Sequence, residues 1–294
     1  MQSVKWYLLN LHIWIVIFDM SVTFLTIPYF LFPHMAGYPL GILKHTKIPI
    51  IVQTCSVLIV MEFVFVSIVA LFEKRFYTMC NIPGRKHWKF WRHFYIASQY
   101  VYVFVGISAF AFMVPEQDLA RARIFENLPC LPEYVYTAPV FVLTESFLFH
   151  LTIFLTSLLF VGCEIVLFGI LPLRTIYKQL KSPSVSRRTF EMQKRFSIAL
   201  IIQISVPLLV YVPTFFSMLY VFCVKTFYSQ IFNNFFVVTI SSHGLLYTFI
   251  MILVHRPYRK ALTSVFRKIM MRYEERSVHY DQSARGTALV LVKV

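Results

Sequence analysis

Six runs of apolar residues, each long enough to cross about 30 Å of hydrocarbon as a helix, dominate this chain. They lie near 7–32, 48–72, 93–114, 141–172, 196–223 and 231–254. Each run is continuous rather than alternating, which argues against the strands of a membrane barrel. A helix satisfies its own backbone hydrogen bonds where no water can reach them. The pattern predicts an all-α fold, a polytopic transmembrane helix bundle. Composition excludes a soluble alternative: 58% of the residues are hydrophobic and 14% charged, against roughly 45–50% and about 25% in soluble domains. No polar block of domain size interrupts the runs, so one membrane domain is expected over 1–276, with an uninformative tail at 277–294. The first run is too long for the core of a cleavable signal peptide and lacks a small-residue cleavage site.

The connections set the orientation. Lys5, the segments 73–92 and 173–195 and the tail from 255 together hold 23 of the 28 Lys and Arg. The opposite connections hold Lys44, Lys47, Arg121, Arg123 and Lys225. By the positive-inside rule the first group is cytoplasmic, and six spans then put both termini there. This distribution in short segments, rather than one basic domain, argues against nucleic acid as the partner of the +15 net charge. Residues 257–276 read as an amphipathic helix, with Leu262, Val265, Phe266, Ile269, Met270 and Tyr273 near one face. Such a helix would lie in the inner headgroup layer and makes membrane lipid a partner.

Catalytic patterns are missing from the sequence: it has no G-x-S-x-G, P-loop or HExxH, and its histidines and cysteines lack metal-ligand spacing. Neither an enzyme nor a cofactor is expected. Ionisable residues inside the apolar runs are more telling, because they are costly in hydrocarbon and turn toward the bundle interior. Asp19, Glu62, Glu164 and His243 are of this kind, with Glu145 and His150 toward the outer end of the fourth run. They read either as ligand or switch residues, or as interior hydrogen-bond partners that fix helix packing. Pro28, Pro207 and Pro213 fall inside runs and predict bends. Cys130 is on the outer side, where disulfides form. Cys55 and Cys223 lie near outer helix ends and are both candidate partners, and a lone Cys130 thiol is the third option.

Six strings carry a resemblance: WYLLNLHIW at 6–14, AGYPLGIL at 36–43, SIVALFEKRF at 67–76, LPCLPE at 128–133, FEMQKRFSIALIIQISVPLL at 190–209 and ISSHGLLYTFIMILVHRPYR at 240–259. In this order and spacing they resemble the nematode serpentine chemoreceptors, most closely class H of the Str superfamily. The resemblance runs from about residue 4 to about residue 260. It implies a rhodopsin-like seven-helix G-protein-coupled receptor that detects small environmental chemicals in sensory neurons, in the plasma membrane and often at cilia. It implies a heterotrimeric G protein and a small-molecule ligand as partners. FEKRF then stands in position for the acidic–Arg–aromatic motif at the inner end of helix three in rhodopsin-like receptors, so Glu73 and Arg75 become the expected switch at the G-protein side. The expected cytoplasmic contact surface includes Arg187, Arg188, Lys194, Arg195, Arg256 and Arg259.

WYLLNLHIW belongs at the start of the family's second helix, yet here it begins at residue 6. Six helices of the seven are therefore expected in this chain, which would make it a truncated form or the product of a wrongly started gene model. A six-helix transporter or channel and a non-signalling receptor remnant are the rival readings.

Overall fold

Helix α1 (Gln2–Met20) shows how an apolar run acquires an inner face. Val4, Leu8, Leu11, Ile15, Phe18 and, just beyond it, Val22 are buried at alternating spacings of four and three. That repeat keeps one stripe turned to its neighbours. Trp6, Leu9, Ile13 and Val16 lie between them and are exposed, as lipid permits. The computed structural model describes residues 2–80, 84–128, 131–181, 186–224, 228–254 and 258–274.

The long helices that follow are α2 (Ile50–Met79), α3 (Arg85–Phe110), α6 (Phe147–Lys181) and α7 (Arg187–Val224). Two shorter ones, α8 (Gln230–Ser241) and α9 (His243–Val254), form one span broken at Ser242. Short helices α4 (Gln117–Asn127) and α5 (Glu133–Tyr136) lie between α3 and α6. Residues 258–274 form a last helix, α10, exposed along its whole length.

Among the described residues five stretches are long and apolar enough to cross a membrane: Val4–Thr26, Ile50–Met79, Arg85–Met113, Leu148–Gln179 and Gln230–Val254. The remaining expected run, 196–223, lies within the 38-residue α7. The polytopic helical membrane bundle expected from the sequence is what the chain forms. Its core has α2 at the centre: Val64 and Leu71 pack with α1, α7 and α9, while Val69 and Phe72 pack with Phe168 of α6 and Ile204 of α7.

Two of the expected runs change structure before they end. After Met20 the first helix widens into a π-turn at Ser21–Thr26, where the Thr26 hydroxyl donates to the Ser21 carbonyl at 2.7 Å. Ile27 is left-handed (φ 42°) and ends the helix. Pro28, expected to bend that helix, instead opens strand β1 (Pro28–Phe30), where a missing N–H is tolerated. Likewise the first residues of the run 141–172 form strand β3 (Phe141–Thr144).

With β2 (Met35–Pro39) these make an antiparallel sheet of order β1-β2-β3, which the sequence reading did not place. It caps the end of the bundle opposite the basic segments, over a core that includes Leu31, Val135, Val140 and Val142. Both sheet edges are closed by side-chain amides. Gln117 accepts from Val142 N at 2.9 Å and donates back to Val142 O at 3.1 Å. Asn233 of α8 donates to the carbonyls of Phe30 and Phe32 at 3.1 and 3.4 Å. An unpaired strand edge invites another chain, and these amides remove the invitation. Burial and the hydrogen bond between the Tyr29 and Tyr134 hydroxyls, 3.1 Å apart, raise the Tyr29 phenol above its ordinary pKa.

Gly37 lies opposite Phe30 in β1, and a Cβ on it would stand 2.3 Å from the Tyr29 carbonyl oxygen. Gly37→Ala is expected to cost roughly 1–3 kcal/mol, as overpacking does. Gly106→Ala in α3, where nothing lies within 4 Å of the added carbon, should hold or raise stability. Thermal unfolding of the two purified variants distinguishes them.

Candidate functional site

The sequence E-K-R at 73–75 hides a divergence. Residues two apart on a helix point nearly opposite ways, so Glu73 and Arg75 face different neighbours of α2.

Glu73 is fully buried and meets α3. Arg92 Nε donates to both carboxylate oxygens at 3.2 Å, and its Nη2 donates to Oε2 as well. Trp88 Nε1 donates to Oε1 at 2.9 Å. Arg92 also donates to the Tyr7 hydroxyl of α1 at 3.3 Å and lies over the Tyr77 ring at 4.7 Å. With side-chain exposures of 0% and 5% the pair is out of water, and the extra donors make such burial tolerable. Three helices are fastened through one ion pair, α1 by way of the Arg92 guanidinium.

Arg75 turns to α7. Its Nη2 donates to the Ser197 hydroxyl at 2.8 Å and to the Gln193 carbonyl at 3.2 Å, and the guanidinium rests on the Phe196 ring at 4.4 Å. Among the described residues no carboxylate pairs with it. The cation is thus held by neutral groups alone.

Above this end the interior polar residues fall into separate clusters. Asn10 of α1 donates to the Ser67 hydroxyl at 2.8 Å and to Tyr100 of α3 at 3.2 Å, and the two hydroxyls are 3.0 Å apart. Glu164 of α6 accepts from Tyr95 and from Gln99 Nε2, the latter at 2.8 Å. Asp19 lies so close to Gly244 that a Cβ there would stand 1.5 Å from its Oδ2. His243 precedes that glycine, with its ring 6.5 Å from Phe18, so α1 meets the chain at the break between α8 and α9 through Asp19 and Phe18. Glu62 is buried on α2. The four intramembrane residues singled out from sequence therefore do not form one site. Among the described residues no three His, Cys, Asp or Glu side chains could hold a metal ion.

The basic residues Arg187, Arg188, Lys194 and Arg195 are exposed on the first turns of α7, beside the groups that hold Arg75. Arg195 reaches Glu191 at 3.8 Å. Arg259 of α10 donates to the Leu253 carbonyl at 2.6 Å and so caps α9. Arg256 and Cys130 lie outside the described residues. Cys55 and Cys223, the partners considered for Cys130, are free cysteines among the described residues, and Cys55 Sγ points to the Ile107 carbonyl at 3.8 Å.

Arg92, Trp88, Tyr7, Ser197 and Gln193 escaped the sequence reading, which counted Arg92 only as a boundary charge. Removing one member of a buried ion pair strands the other, at about 3–5 kcal/mol. Glu73→Gln should therefore lower the melting temperature strongly. Glu73→Gln combined with Arg92→Met should recover much of the loss, and a double variant as unstable as the single one would contradict the clamp.

The sequence profile of the Serpentine type 7TM GPCR chemoreceptor Srh family matches residues 1–268. Serpentine receptor class H-72 of Caenorhabditis elegans is 25% identical over 286 residues, covering 91% of this chain and 77% of that protein. No solved structure matches the chain. The helical bundle, its apolar spans and this match over nearly the whole length agree, and the chain belongs to the Srh family of serpentine seven-transmembrane chemoreceptors.

Proposed function

We propose that this receptor detects a small environmental chemical and passes the signal to a heterotrimeric G protein at its basic end, which is the cytoplasmic one. The observation that carries the reading is the Arg75 link. A buried guanidinium held by a hydroxyl, a carbonyl and a ring joins α2 to α7. Such a link is strong enough to favour one arrangement, yet it lacks the Coulombic partner that would make it hard to exchange. A ligand that prefers the arrangement in which α7 has moved away would shift the population toward it. Beside that link Arg187, Arg188, Lys194 and Arg195 are exposed on α7, a positive surface suited to acidic groups of a partner. Glu73 then serves as the fixed side of the device and Arg75 as its movable side.

A hydrogen bond to a charged group contributes roughly 1.5–3 kcal/mol, about tenfold or more in a two-state equilibrium. Ser197→Ala should therefore raise ligand-independent G-protein activation by about that factor in cells that deliver it to the surface normally. Unchanged or lower basal activity at equal surface level would remove Arg75 from this role. Replacing Arg187, Arg188, Lys194 and Arg195 by Gln should weaken coupling while surface delivery persists. Coupling equal to that of the parent chain would place the contact elsewhere.

A further inference from the structure

Most of the apolar length of α3 faces outward, and from Arg85 to Phe110 it contains no Asp or Glu. Its cations divide by helical phase. Arg92 turns inward to Glu73, and Arg85 lies over the Tyr77 ring at 5.0 Å. Lys86, Lys89 and His93, three and four residues apart, turn outward together. With Phe90 and Phe94 they line a shallow groove of about 390 Å³. No carboxylate pairs with either lysine among the described residues. Farther along the same face Val101, Phe104 and Val105 are exposed and continue the apolar stripe.

From Lys86 to His93 the helix rises about 10 Å, enough to cross one headgroup layer of roughly 5–8 Å. Nitrogen donors at the boundary and apolar side chains running away from it match one kind of molecule. A free phosphate would engage the lysines but leave the aromatic groove unused. A second copy of the chain packed through α3 would set lysine against lysine. We propose that this face of α3 binds an anionic phospholipid of the leaflet at the basic end. Its headgroup phosphate lies against Lys86 and Lys89, and an acyl chain lies along Phe90, Phe94 and Val101. The inference rests on the membrane setting and orientation and not on G-protein coupling.

The test uses the full chain in phosphatidylcholine nanodiscs containing a minor fraction of phosphatidylinositol bisphosphate or phosphatidylserine, with retained lipid counted by native mass spectrometry. The parent chain should retain the anionic lipid in preference to phosphatidylcholine. Lys86→Gln with Lys89→Gln should cut that retention about thirty-fold, two cations' worth beside an anionic headgroup. Lys86→Glu with Lys89→Glu should abolish it. Lys268→Glu with Arg272→Glu, which reverses two exposed charges on α10, should leave it intact. Phe90→Ala with Phe94→Ala should weaken it at an unchanged melting temperature. Full retention in the Gln pair overturns the site. Equal loss in the α10 variant reduces it to diffuse attraction. Complete competition by soluble inositol trisphosphate makes it a free-phosphate site and also overturns the proposal. None of these readouts involves a G protein, so their failure is separate from failure of the signalling role.

Discussion

A helix enclosed by other helices inside a membrane has nowhere to send its polar side chains except to its neighbours, and α2 is in that position. Apolar packing alone cannot choose how α1, α3 and α7 register against it, because lipid tails are as apolar as leucine. The polar matches make the choice. At mid-depth Ser67 joins Asn10 and Tyr100. At the basic end Glu73 takes Arg92 and Trp88, and Arg75 takes Ser197. Sliding α3 along α2 by one turn would leave a carboxylate and a guanidinium unpaired at once. Each mismatch costs more than any leucine contact gains.

The matches are unequal, and the inequality has a direction. α1, α2 and α3 are joined twice, through Asn10–Ser67–Tyr100 and through Tyr7–Arg92–Glu73. The second of these contains two full charges. At the same end α7 is held to α2 by one cation on neutral acceptors. Of the charged links that α2 makes at the basic end, the one to α7 is the one without an opposite charge, and the proposed movement breaks that one. The proposed signalling movement therefore follows from which side of α2 carries the acid and which the base.

The opposite end is built on another principle. There the chain leaves the helical regime, through the π-turn at Ser21–Thr26 and the left-handed Ile27, and forms strands whose edges are sealed by Gln117 and Asn233. None of this was legible in the sequence. Pro28, Tyr29 and Phe30 are as apolar as the helix before them, so hydropathy carries the run straight through the change. The spans themselves were legible, because length and continuity are all that a membrane crossing requires. The break at Ser242 was not read either, although Ser241, Ser242, His243 and Gly244 interrupt the apolar run there.

The candidate site was legible by residue but not by partner. Segment counts assign a cation to a side of the membrane, and they treated Lys86, Lys89 and Arg92 alike. The helical phase separates them: Arg92 shares a stripe with Trp88, Tyr95 and Gln99, at spacings of four, three and four, while Lys86 and Lys89 fall on the other side. In a soluble helix the apolar face would have identified the inward one. Here both faces are aromatic, because one meets protein and the other meets lipid. What marks the interior of α3 is its polar stripe, and each member of that stripe has a partner: Trp88 and Arg92 hold Glu73, while Tyr95 and Gln99 hold Glu164. For α3 the usual rule is inverted, and the hydrogen-bonding residues rather than the hydrophobic ones point to the core.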